Sequence, residues 1–416
     1  MKLLDNAIRL SYTLPNGKAV ELNLATEELL GVRMNKNVKR LIGCYEQDML
    51  FLNKEIEGNI QKHLDERYGR DKSKKALDEL RTLEAVVFAP VSAQLDKVDF
   101  SVSADQLKAF FGIQLDEEFG RLKNGEFDPA LSYILNDPNG QALMRSLLTQ
   151  FSIEFLIEGA PMGLYATGAF GTLQSHLLRV YQDEMGNGVP EDKHSHLYEK
   201  TMVDLGLSDT PDAYQDHFLT SNMLVSAYTY QICHDKSKFL RYLGAFFRNE
   251  ACFIVWQKQL GESVREIYSG KVDCHYFDVH TSVDQAHGRW VLDNLVSHAL
   301  ERFGDDAAPH ILRGFVELMI YQDIFGLELD HQILMGTTAK LAELPSSGLA
   351  FSNNISPGQT EHLFSDQELL INLQEDGELF LTDPLTATTS SGRELIRLPP
   401  FTAAFVKAGK NGAQYS

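Results

Sequence analysis

The stretch from Tyr276 to His287 places His280, Asp284 and His287 at positions i, i+4 and i+7. On an α-helix, side chains with this spacing lie in one column on one face. Two imidazoles and a carboxylate in one column predict half of a metal site, and the other half must come from other helices. The competing interpretation is a set of plain surface hydrogen bonds, which Asp and His also form at this spacing.

A helical pattern surrounds this column and extends from about residue 141 to 334. Clusters of Gly, Pro and Asn divide it into six or seven helices: 141–158, 163–185, one beginning near 191, about 214–233, 236–268, about 276–303 and 310–327. Short connections and the lack of a strand pattern predict an all-α bundle.

The first 128 residues are predicted to form a mainly helical region that opens with a short hairpin. The hairpin is predicted in residues 1–24 around Pro15-Asn16-Gly17, and the helical pattern begins at Thr26. From about 37 to 83 the pattern is strongly charged, and its one apolar stripe consists of Leu41, Ile42, Tyr45, Met49 and Leu52. This segment has too little apolar surface for its own core. We expect it to pack on a partner subunit or the next domain, with a solvated helical hairpin as the alternative.

Loop signals on both sides of the bundle predict the domain boundaries. Residues 90–102 indicate loop and extended chain, and Ser103 with Gln106 forms a capping box before a helix at 104–111. A Gly- and Asp-rich loop at 123–129 marks the first boundary. After Pro345 the pattern alternates, with strands predicted at 369–373, 378–381 and 395–398 and turns at Gly377 and 386–391. We therefore predict domains at 1–128, 129–340 and 341–416, the last of them small and β-rich.

Composition limits the classes of partner and compartment. The chain has 416 residues, of which 44% are apolar and 23% charged, as in a soluble globular protein of two or three domains. A net charge of −20 argues against nucleic acid or an anionic membrane as a partner. Four cysteines without a CxxC pair, no signal-peptide pattern and no membrane-spanning apolar run predict a cytoplasmic protein.

The helical region supplies further candidate ligands for the column. Glu158 and Glu250 stand in apolar segments, where a carboxylate is costly to bury unless it is paired or bound to a metal. Glu184 closes the second helix and His194 opens the third, although the neighbouring His196 competes for the same role. The alternative for the two buried glutamates is pairing with an arginine, for which Arg179, Arg241 and Arg248 are available.

The combined set predicts the kind of metal. Its members are Glu158, Glu184, His194, Glu250, His280, Asp284 and His287. Carboxylates and imidazoles without thiolate suit iron or manganese rather than structural zinc, and seven ligands suit two ions rather than one. Such a pair of ions is suited to activating O₂. Ferritin-like bundles need two Glu-x-x-His motifs. Glu191 to His194 has this spacing but stands beside Pro190 at a helix start, so that fold fits poorly.

The ligand order resembles that of the haem-oxygenase-like di-iron oxidases. Glu158, Glu184, His194 and Glu250 precede His280-x-x-x-Asp284-x-x-His287, and residues 183–188 followed by His194 are similar to the family's Asp-Glu-x-Gly-x-Gly…His signature. The spacing is nearest to that of the family's N-nitrosourea-forming N-oxygenases. The resemblance covers roughly residues 130–335.

The resemblance implies a mainly α fold, a haem-oxygenase-like bundle used without haem, preceded by a helical dimerisation region. The implied cofactor is two irons, loaded as Fe(II) and oxidised by O₂. Glu158, His194 and His287 are expected to hold one iron, and Glu250, His280 and Asp284 the other. Glu184 is expected to be the additional carboxylate of the N-oxygenating branch.

One departure from the resemblance concerns the C-terminal region. The N-nitrosourea-forming members end in a cupin whose iron is held by three histidines. Residues 341–416 contain only His362, so we expect no such iron site here.

The function predicted from the resemblance is N-oxygenation of a small amine, guanidine or amino-heterocycle in specialised metabolism. Electrons must come from an external donor, because no flavin or nicotinamide fingerprint is present. The first alternative is C–H abstraction that desaturates or fragments an aliphatic or amino acid. The second is a non-catalytic helical interaction or metal-storage protein. Aromatic residues near Tyr228, Phe247 or Trp290 are candidates for a substrate pocket.

Overall fold

Helices make up most of the computed structural model, which describes residues 4–52, 59–336, 340–342, 351–389 and 394–416. The α-helices are α1 Thr26–Leu30, α2 Val32–Tyr45, α3 Ile60–Tyr68, α4 Arg70–Val87, α5 Ala89–Leu95, α6 Ala104–Asn124, α7 Pro129–Asn136, α8 Gly140–Phe155, α9 Thr172–Glu184, α10 His194–Asp204, α11 Thr220–His234, α12 Phe239–Ala251, α13 Ile254–Ile267, α14 His275–Trp290, α15 Ser297–Phe303 and α16 Ala308–Gly336. None of the described helices combines the length and apolarity needed to cross a lipid bilayer.

The N-terminal region contains the predicted hairpin but differs from the prediction at helix α5 and at Leu52. Strands β1 (Ala7–Thr13) and β2 (Ala19–Ala25) pair antiparallel, as predicted. Helix α5 occupies part of the stretch predicted to be loop and extended chain. Pro90 stands in the first turn of α5, where its missing N–H would have had no intrahelical partner. Leu52 is 55% exposed and does not belong to the buried apolar stripe predicted for this region.

The N-terminal region packs on the bundle and shares its hydrophobic core. Asn35 on α2 donates to Thr220 at the start of α11 over 3.1 Å, and Tyr12 on β1 donates to Asp323 on α16 over 2.6 Å. Packing on the next domain is thus confirmed for α2, whereas α3 has no buried residue and is solvated. Homodimerisation through this region, and the domain boundaries given above, stay predictions.

The bundle differs from the predicted helices at several places. The fourth helix begins later than predicted, at Thr220, and the seventh extends to Gly336. The predicted fifth helix is two helices, because Cys252 and Phe253 interrupt it between α12 and α13. The second begins only at Thr172, after a 3₁₀ turn at Pro161–Tyr165. The sixth continues from α14 to α15 through a π-helical turn, Val291–Val296. Such π turns are frequent beside functional sites because they rotate the following side chains relative to the preceding ones.

The C-terminal region consists of two antiparallel sheets with a hydrophobic core of their own. Its strands are β3 Lys340–Ala342, β4 Asn353–Ile355, β5 Thr360–Leu363, β6 Leu369–Leu373, β7 Glu378–Phe380, β8 Ala387–Thr389, β9 Glu394–Leu398, β10 Ala404–Lys407 and β11 Ala413–Tyr415. The sheet orders are β5-β10-β7-β8 and β3-β9-β6-β11-β4. The three predicted strands are confirmed as β6, β7 and β9.

Two residue-level predictions for this region have different outcomes. Residues 387–389, predicted as a turn, form β8 beside β7, because Thr residues suit a strand, and the rest of that predicted turn, 390–391, lies outside the described residues. The histidine of the region, His362, lies in β5 with its ring centroid 4.9 Å from that of Phe405. Burial lowers the pKa of His362 to about 3, so its imidazole is neutral within the sheet.

Candidate metal centre

The predicted column lies on α14 and faces the interior. His280, Asp284 and His287 are all buried, at 4–5% exposure, while the intervening residues of the helix include exposed ones. Buried apolar neighbours Tyr276 and Phe277 anchor the start of this face. The surface hydrogen-bond alternative is therefore excluded for the column.

A left-handed turn brings Glu184 and His194 together. Gly186, Asn187 and Gly188 have φ values of 65°, 51° and 86°, a run that glycine and asparagine tolerate best. A Cβ on Gly186 would stand 2.5 Å from the backbone nitrogen of Lys193, so only glycine lets the chain return this closely. As a result, His194 Nδ1 at the start of α10 lies 2.7 Å from Glu184 Oε2 at the end of α9. The competing His196 instead contacts Glu199 over 2.9 Å and is largely outside the cluster.

Glu158 and Glu250 reach the column from two interruptions of helical structure. Glu158 lies in the turn after α8, and its Oε1 is 3.2 Å from His280 Nε2. Glu250 lies in the last turn of α12, directly before the break at Cys252, and its Oε2 is 3.1 Å from His287 Nδ1. Helices α12 and α14 can approach closely because Gly288 has no side chain. A Cβ there would stand 2.9 Å from the Glu250 carbonyl oxygen.

The candidate ligands form two groups that share Glu184. Within each group the ligand atoms lie within 4.8 Å of one another; the first contains Glu158, Glu184, His194 and His280, and the second Glu184, Glu250 and His287. Asp284 Oδ1 stands beside the second group, 3.9 Å from His287 Nδ1. The expected partition placed His280 and His287 the other way round. They are seven positions apart along α14, about 10 Å at 1.5 Å per residue, so each serves the group at its own end of the column.

Each histidine of the column has one ring nitrogen held by an acceptor and the other facing the cluster. His280 Nδ1 donates to the Tyr276 carbonyl over 2.9 Å, which leaves Nε2 beside Glu158. His287 Nε2 donates to Asp183 Oδ2 over 3.2 Å, which leaves Nδ1 beside Glu250. Carboxylates and carbonyls commonly orient metal-binding imidazoles in this way.

Asp183 was missed as a site residue, although it adjoins Glu184 in the sequence. Its carboxylate accepts from His287, accepts from Asn187 Nδ2 over 2.9 Å and lies 3.4 Å from an Arg179 guanidinium nitrogen. The signal was the acidic pair Asp183-Glu184 at a helix end. Consecutive residues point in different directions, so the sequence did not tell which partner the first carboxylate would have.

Electrostatics shows a cluster of negative charge that requires compensation. Burial raises the pKa of Glu184 and of Asp284 above their usual values. Burial would lower the pKa of His280, but the Glu158 and Asp284 carboxylates outweigh it and raise that pKa well above its usual value. In the same way Glu250 raises the pKa of His287 to about 9 against the effect of burial. Without a metal, protons on the imidazoles supply the positive charge that the carboxylates attract.

The donor atoms fit a bound metal. Glu158 Oε2, Glu184 Oε2 and His194 Nδ1 are buried and have no hydrogen-bond partner in the described part of the chain. The close approach of the last two lacks hydrogen-bond geometry. Buried polar atoms are normally satisfied, so three orphaned donors and acceptors converging on one place indicate a cation between them. Oxygen and imidazole ligands without thiolate suit iron or manganese.

Arginine pairing does not explain the two glutamates. Arg241 pairs with Glu317 over 3.2 Å, and Arg248 donates to Gln322 over 2.7 Å. Arg179 pairs with Asp183. The three arginines considered as partners are thus engaged with other residues.

Two comparisons with known proteins bear on this centre. Residues 145–320 match the family of iron-containing redox enzymes. Every candidate ligand lies within this stretch. This stretch is therefore similar to a haem-oxygenase-like iron-containing redox enzyme domain.

The second comparison shows a longer similarity. The chain is 30% identical over 299 residues to the nitrosourea synthase of Streptomyces achromogenes subsp. streptozoticus. The match covers 71% of this chain and 62% of that relative, which is less than two thirds of the relative's length. The predicted family resemblance and the mainly helical fold with a β-rich C-terminal region are confirmed, whereas the individual ligands stay predictions.

The domain encloses a cavity of about 180 Å³ that opens onto the ligand cluster. Glu158, Glu184, Glu250, His280 and Asp284 form one side of it, and apolar residues such as Phe151, Phe155 and Phe246 form much of the rest. The predicted pocket residues Tyr228, Phe247 and Trp290 do not line it. Tyr230 and Phe246, on other faces of the same helices, do.

Proposed function

We propose that this chain is a di-iron, O₂-dependent N-oxygenase that oxidises a nitrogen of a small amine, guanidine or amino-heterocycle. The observation that carries the proposal is the pair of ligand groups sharing Glu184 at one wall of a cavity. A carboxylate common to two groups suits two neighbouring cations, since it lowers their mutual repulsion. The similarity to a nitrosourea synthase, a protein named for a product with an N–N–O unit, favours nitrogen as the oxidised atom.

The ligand groups, the apolar cavity wall and the residues that orient the imidazoles have separate roles in the proposed reaction. Glu158, Glu184, His194 and His280 would hold one iron, and Glu184, Glu250, Asp284 and His287 the other. When bound, such a pair of ferrous ions supplies electrons to O₂ and thereby an oxidant for the substrate. The apolar wall excludes water from the reacting nitrogen, and Tyr276 and Asp183 keep the imidazoles in position.

The remaining partners follow from the proposed chemistry. The reaction needs O₂, an amine-type substrate and an external electron donor. We propose that the chain works as a homodimer in the cytoplasm, without nucleic acid or membrane as a partner.

Iron content is the first test. We expect about two irons per chain after anaerobic loading, and a substantial loss in Glu184→Ala because that residue belongs to both groups. The matched control is Glu191→Ala, an exposed glutamate of the following 3₁₀ turn, which should keep full iron content. Fewer than one iron per chain in the unchanged protein would refute the di-iron proposal and favour the non-catalytic alternative.

Product analysis is the second test. The reduced, iron-loaded protein is mixed with O₂ and a panel of amines, guanidines and amino-heterocycles, and products are identified by mass spectrometry with ¹⁸O₂. A product that carries ¹⁸O on nitrogen supports the proposal. An alkene or aldehyde without an N–O product would instead establish C–H abstraction.

A further inference from the structure

One carboxylate of the cavity is not part of the ligand cluster. Glu154 lines the cavity one helical turn before Glu158, at the end of α8. Its Oε1 accepts a hydrogen bond from Ser226 Oγ on α11 over 3.2 Å. Glu154 is partly buried, and a single hydroxyl donor is weak support for a carboxylate inside a protein, which ordinarily needs a cation or several donors.

No lysine or arginine among the described residues serves Glu154. None of the described residues that line the cavity is Lys or Arg, and no ion pair joins Glu154 to any described cation. Burial accordingly raises the pKa of Glu154 to about 7.

A second polar group of the cavity also lacks a partner. Gln257 lines the same cavity and is 4% exposed, and its Oε1 is buried without a hydrogen-bond donor in the described part of the chain. An acceptor of this kind inside a cavity calls for a ligand that carries N–H or O–H groups. Glu154 and Gln257 thus both call for a hydrogen-bond donor, and Glu154 calls in addition for positive charge.

If the proposed function holds, charge balance also indicates that Glu154 lacks a cation. Two ferrous ions carry four positive charges, which the carboxylates of Glu158, Glu184, Glu250 and Asp284 balance. Glu154 is then the lining carboxylate that remains uncompensated. A cavity of about 180 Å³ is smaller than the roughly 300–1,000 Å³ of pockets for drug-sized ligands, so it suits a small molecule or one end of a longer one.

We infer that Glu154 is the substrate-recognition residue of the cavity and pairs with a positively charged nitrogen group, an ammonium or a guanidinium, of the substrate. The inference rests on the proposed function, because the charge balance assumes two irons. The substrate cation completes the balance, and Gln257 accepts a further N–H. Neutral molecules of the same shape leave both groups unsatisfied and bind more weakly.

Calorimetric binding to the Fe(II)-loaded protein without O₂ tests this inference and needs no turnover. The probes are methylguanidinium and butylammonium, compared with their neutral counterparts N-methylurea and 1-butanol. We expect the cations to bind more tightly, and Glu154→Gln to weaken cation binding by about 10- to 100-fold while the neutral probes change little. Preference for methylguanidinium would identify a guanidinium substrate, and preference for butylammonium an amine.

The matched control is Glu328→Gln. Glu328 is also a buried carboxylate with one donor, the Ser221 backbone N–H, and burial raises its pKa to about 7 as well, but it does not line the cavity. It should leave all four affinities unchanged. An unchanged cation preference in Glu154→Gln, with iron content intact, overturns the role of Glu154.

The outcomes separate this inference from the proposed function. Glu154-dependent cation binding without any oxidised product would contradict N-oxygenation and leave the role of Glu154 standing. A chain that binds no iron would overturn both, and the iron measurement identifies that case independently of calorimetry.

Discussion

The hydrogen-bond partner of one ring nitrogen of a histidine determines which of its two nitrogens is free to bind a metal. At His287 the Asp183 carboxylate accepts a hydrogen bond from Nε2, which leaves Nδ1 facing Glu250 and Glu184. Asp183 is itself held by Asn187 and Arg179. The ring orientation at the second ligand group thus depends on a residue outside it.

Replacing Asp183 with Asn tests that dependence. An amide cannot accept from both His287 and Asn187, because one of its two polar atoms is a donor. We expect Asp183→Asn to weaken iron binding at the second group by about 10- to 100-fold, as is usual for outer-shell partners. Anaerobic Fe(II) titration against a chelator measures this. Asp278→Asn, which changes a largely exposed carboxylate on the same helix, is the control, and equal affinities in both variants would contradict the role of Asp183.

The column of ligands on α14 could be predicted because helical periodicity alone aligns residues four and three apart. The apolar context of Glu158 and Glu250 identified them for a similar reason, since an unpaired buried carboxylate is costly. The cavity wall could not be predicted in this way. Tyr228 and Phe247 were chosen as aromatic residues of the right helices, but the face that each helix turns to the cavity depends on tertiary packing.

At the scale of elements, the turn between α9 and α10 is the connection on which the first ligand group depends. Gly186 and Gly188 both have positive φ, but they differ in surroundings. A Cβ on Gly186 would meet the backbone of Lys193 at 2.5 Å, whereas a Cβ on Gly188 would meet nothing within 4 Å.

The pair allows conformational strain to be separated from the close approach. We expect Gly188→Ala to cost about 1–2 kcal/mol in the free energy of unfolding, the usual penalty for a left-handed alanine. Gly186→Ala should cost more and should also lower iron content, because the segment leading to His194 must move. Urea unfolding and iron analysis of both variants measure this. Equal stability and equal iron content would show that the turn does not position His194.

Glu328, a buried acid on α16 that contacts the start of α11, makes the stability of the chain depend on pH. Glu328 Oε2 accepts from the Ser221 N–H over 3.0 Å, and burial raises the pKa of Glu328 to about 7. The folded state therefore binds a proton more tightly than the unfolded state, whose glutamate titrates near 4.3. By linkage, the contribution of Glu328 to the free energy of unfolding is present below the unfolded pKa and is lost as pH rises through the folded pKa.

Glu328→Gln should remove this part of the pH dependence. The shift corresponds to at most about 3 kcal/mol between pH 4.5 and 8, an order-of-magnitude figure. Urea unfolding at several pH values should show that the variant loses less stability than the unchanged protein over that window. Glu301→Gln, which alters an exposed side chain, is the control. Parallel curves for all three proteins would exclude a buried, neutral Glu328 at low pH.

Helix ends show why other elements escaped prediction. The break at Cys252 and Phe253 contains neither Gly nor Pro, so nothing local separates α12 from α13, yet it sets the position of Glu250. The reverse holds for α5, where Pro90 suggested a loop but stands where a helix tolerates proline. In both cases packing overrides the local signal.

At the scale of the whole molecule, apolar and polar contacts join two hydrophobic cores. The N-terminal region and the bundle share one core, to which Phe364 and Ala403 of the β-rich region contribute, and the β-rich region has the other. Gln332 on α16 and Ala403 exchange hydrogen bonds of 2.8 and 2.9 Å. Nearby, Arg145 on α8 pairs with Asp383 of the β-rich region over 3.0 Å, with side-chain exposures of 19% and 8%. Buried polar pairs thus join the two parts beside the apolar contacts.

The Arg145–Asp383 pair should be the stronger of two ion pairs that join these parts. Arg145→Ala leaves a buried carboxylate without its cation. We expect a loss of about 2–4 kcal/mol, somewhat below the 3–5 kcal/mol of a fully buried pair because Arg145 is partly exposed. Lys36–Glu361 joins the same two parts at 2.6 Å, but the Lys36 side chain is 57% exposed, so Lys36→Ala should cost no more than about 1 kcal/mol. Thermal and urea unfolding of both variants, with the Arg145→Ala/Asp383→Ala double variant to measure the coupling, distinguish the cases.

The number of unfolding transitions tests whether the pair couples the two parts. If the unfolding transition divides in two in Arg145→Ala but not in Lys36→Ala, the buried pair couples the folding of the β-rich region to that of the bundle. A single transition with equal stability in both variants would show that the apolar contacts alone couple them.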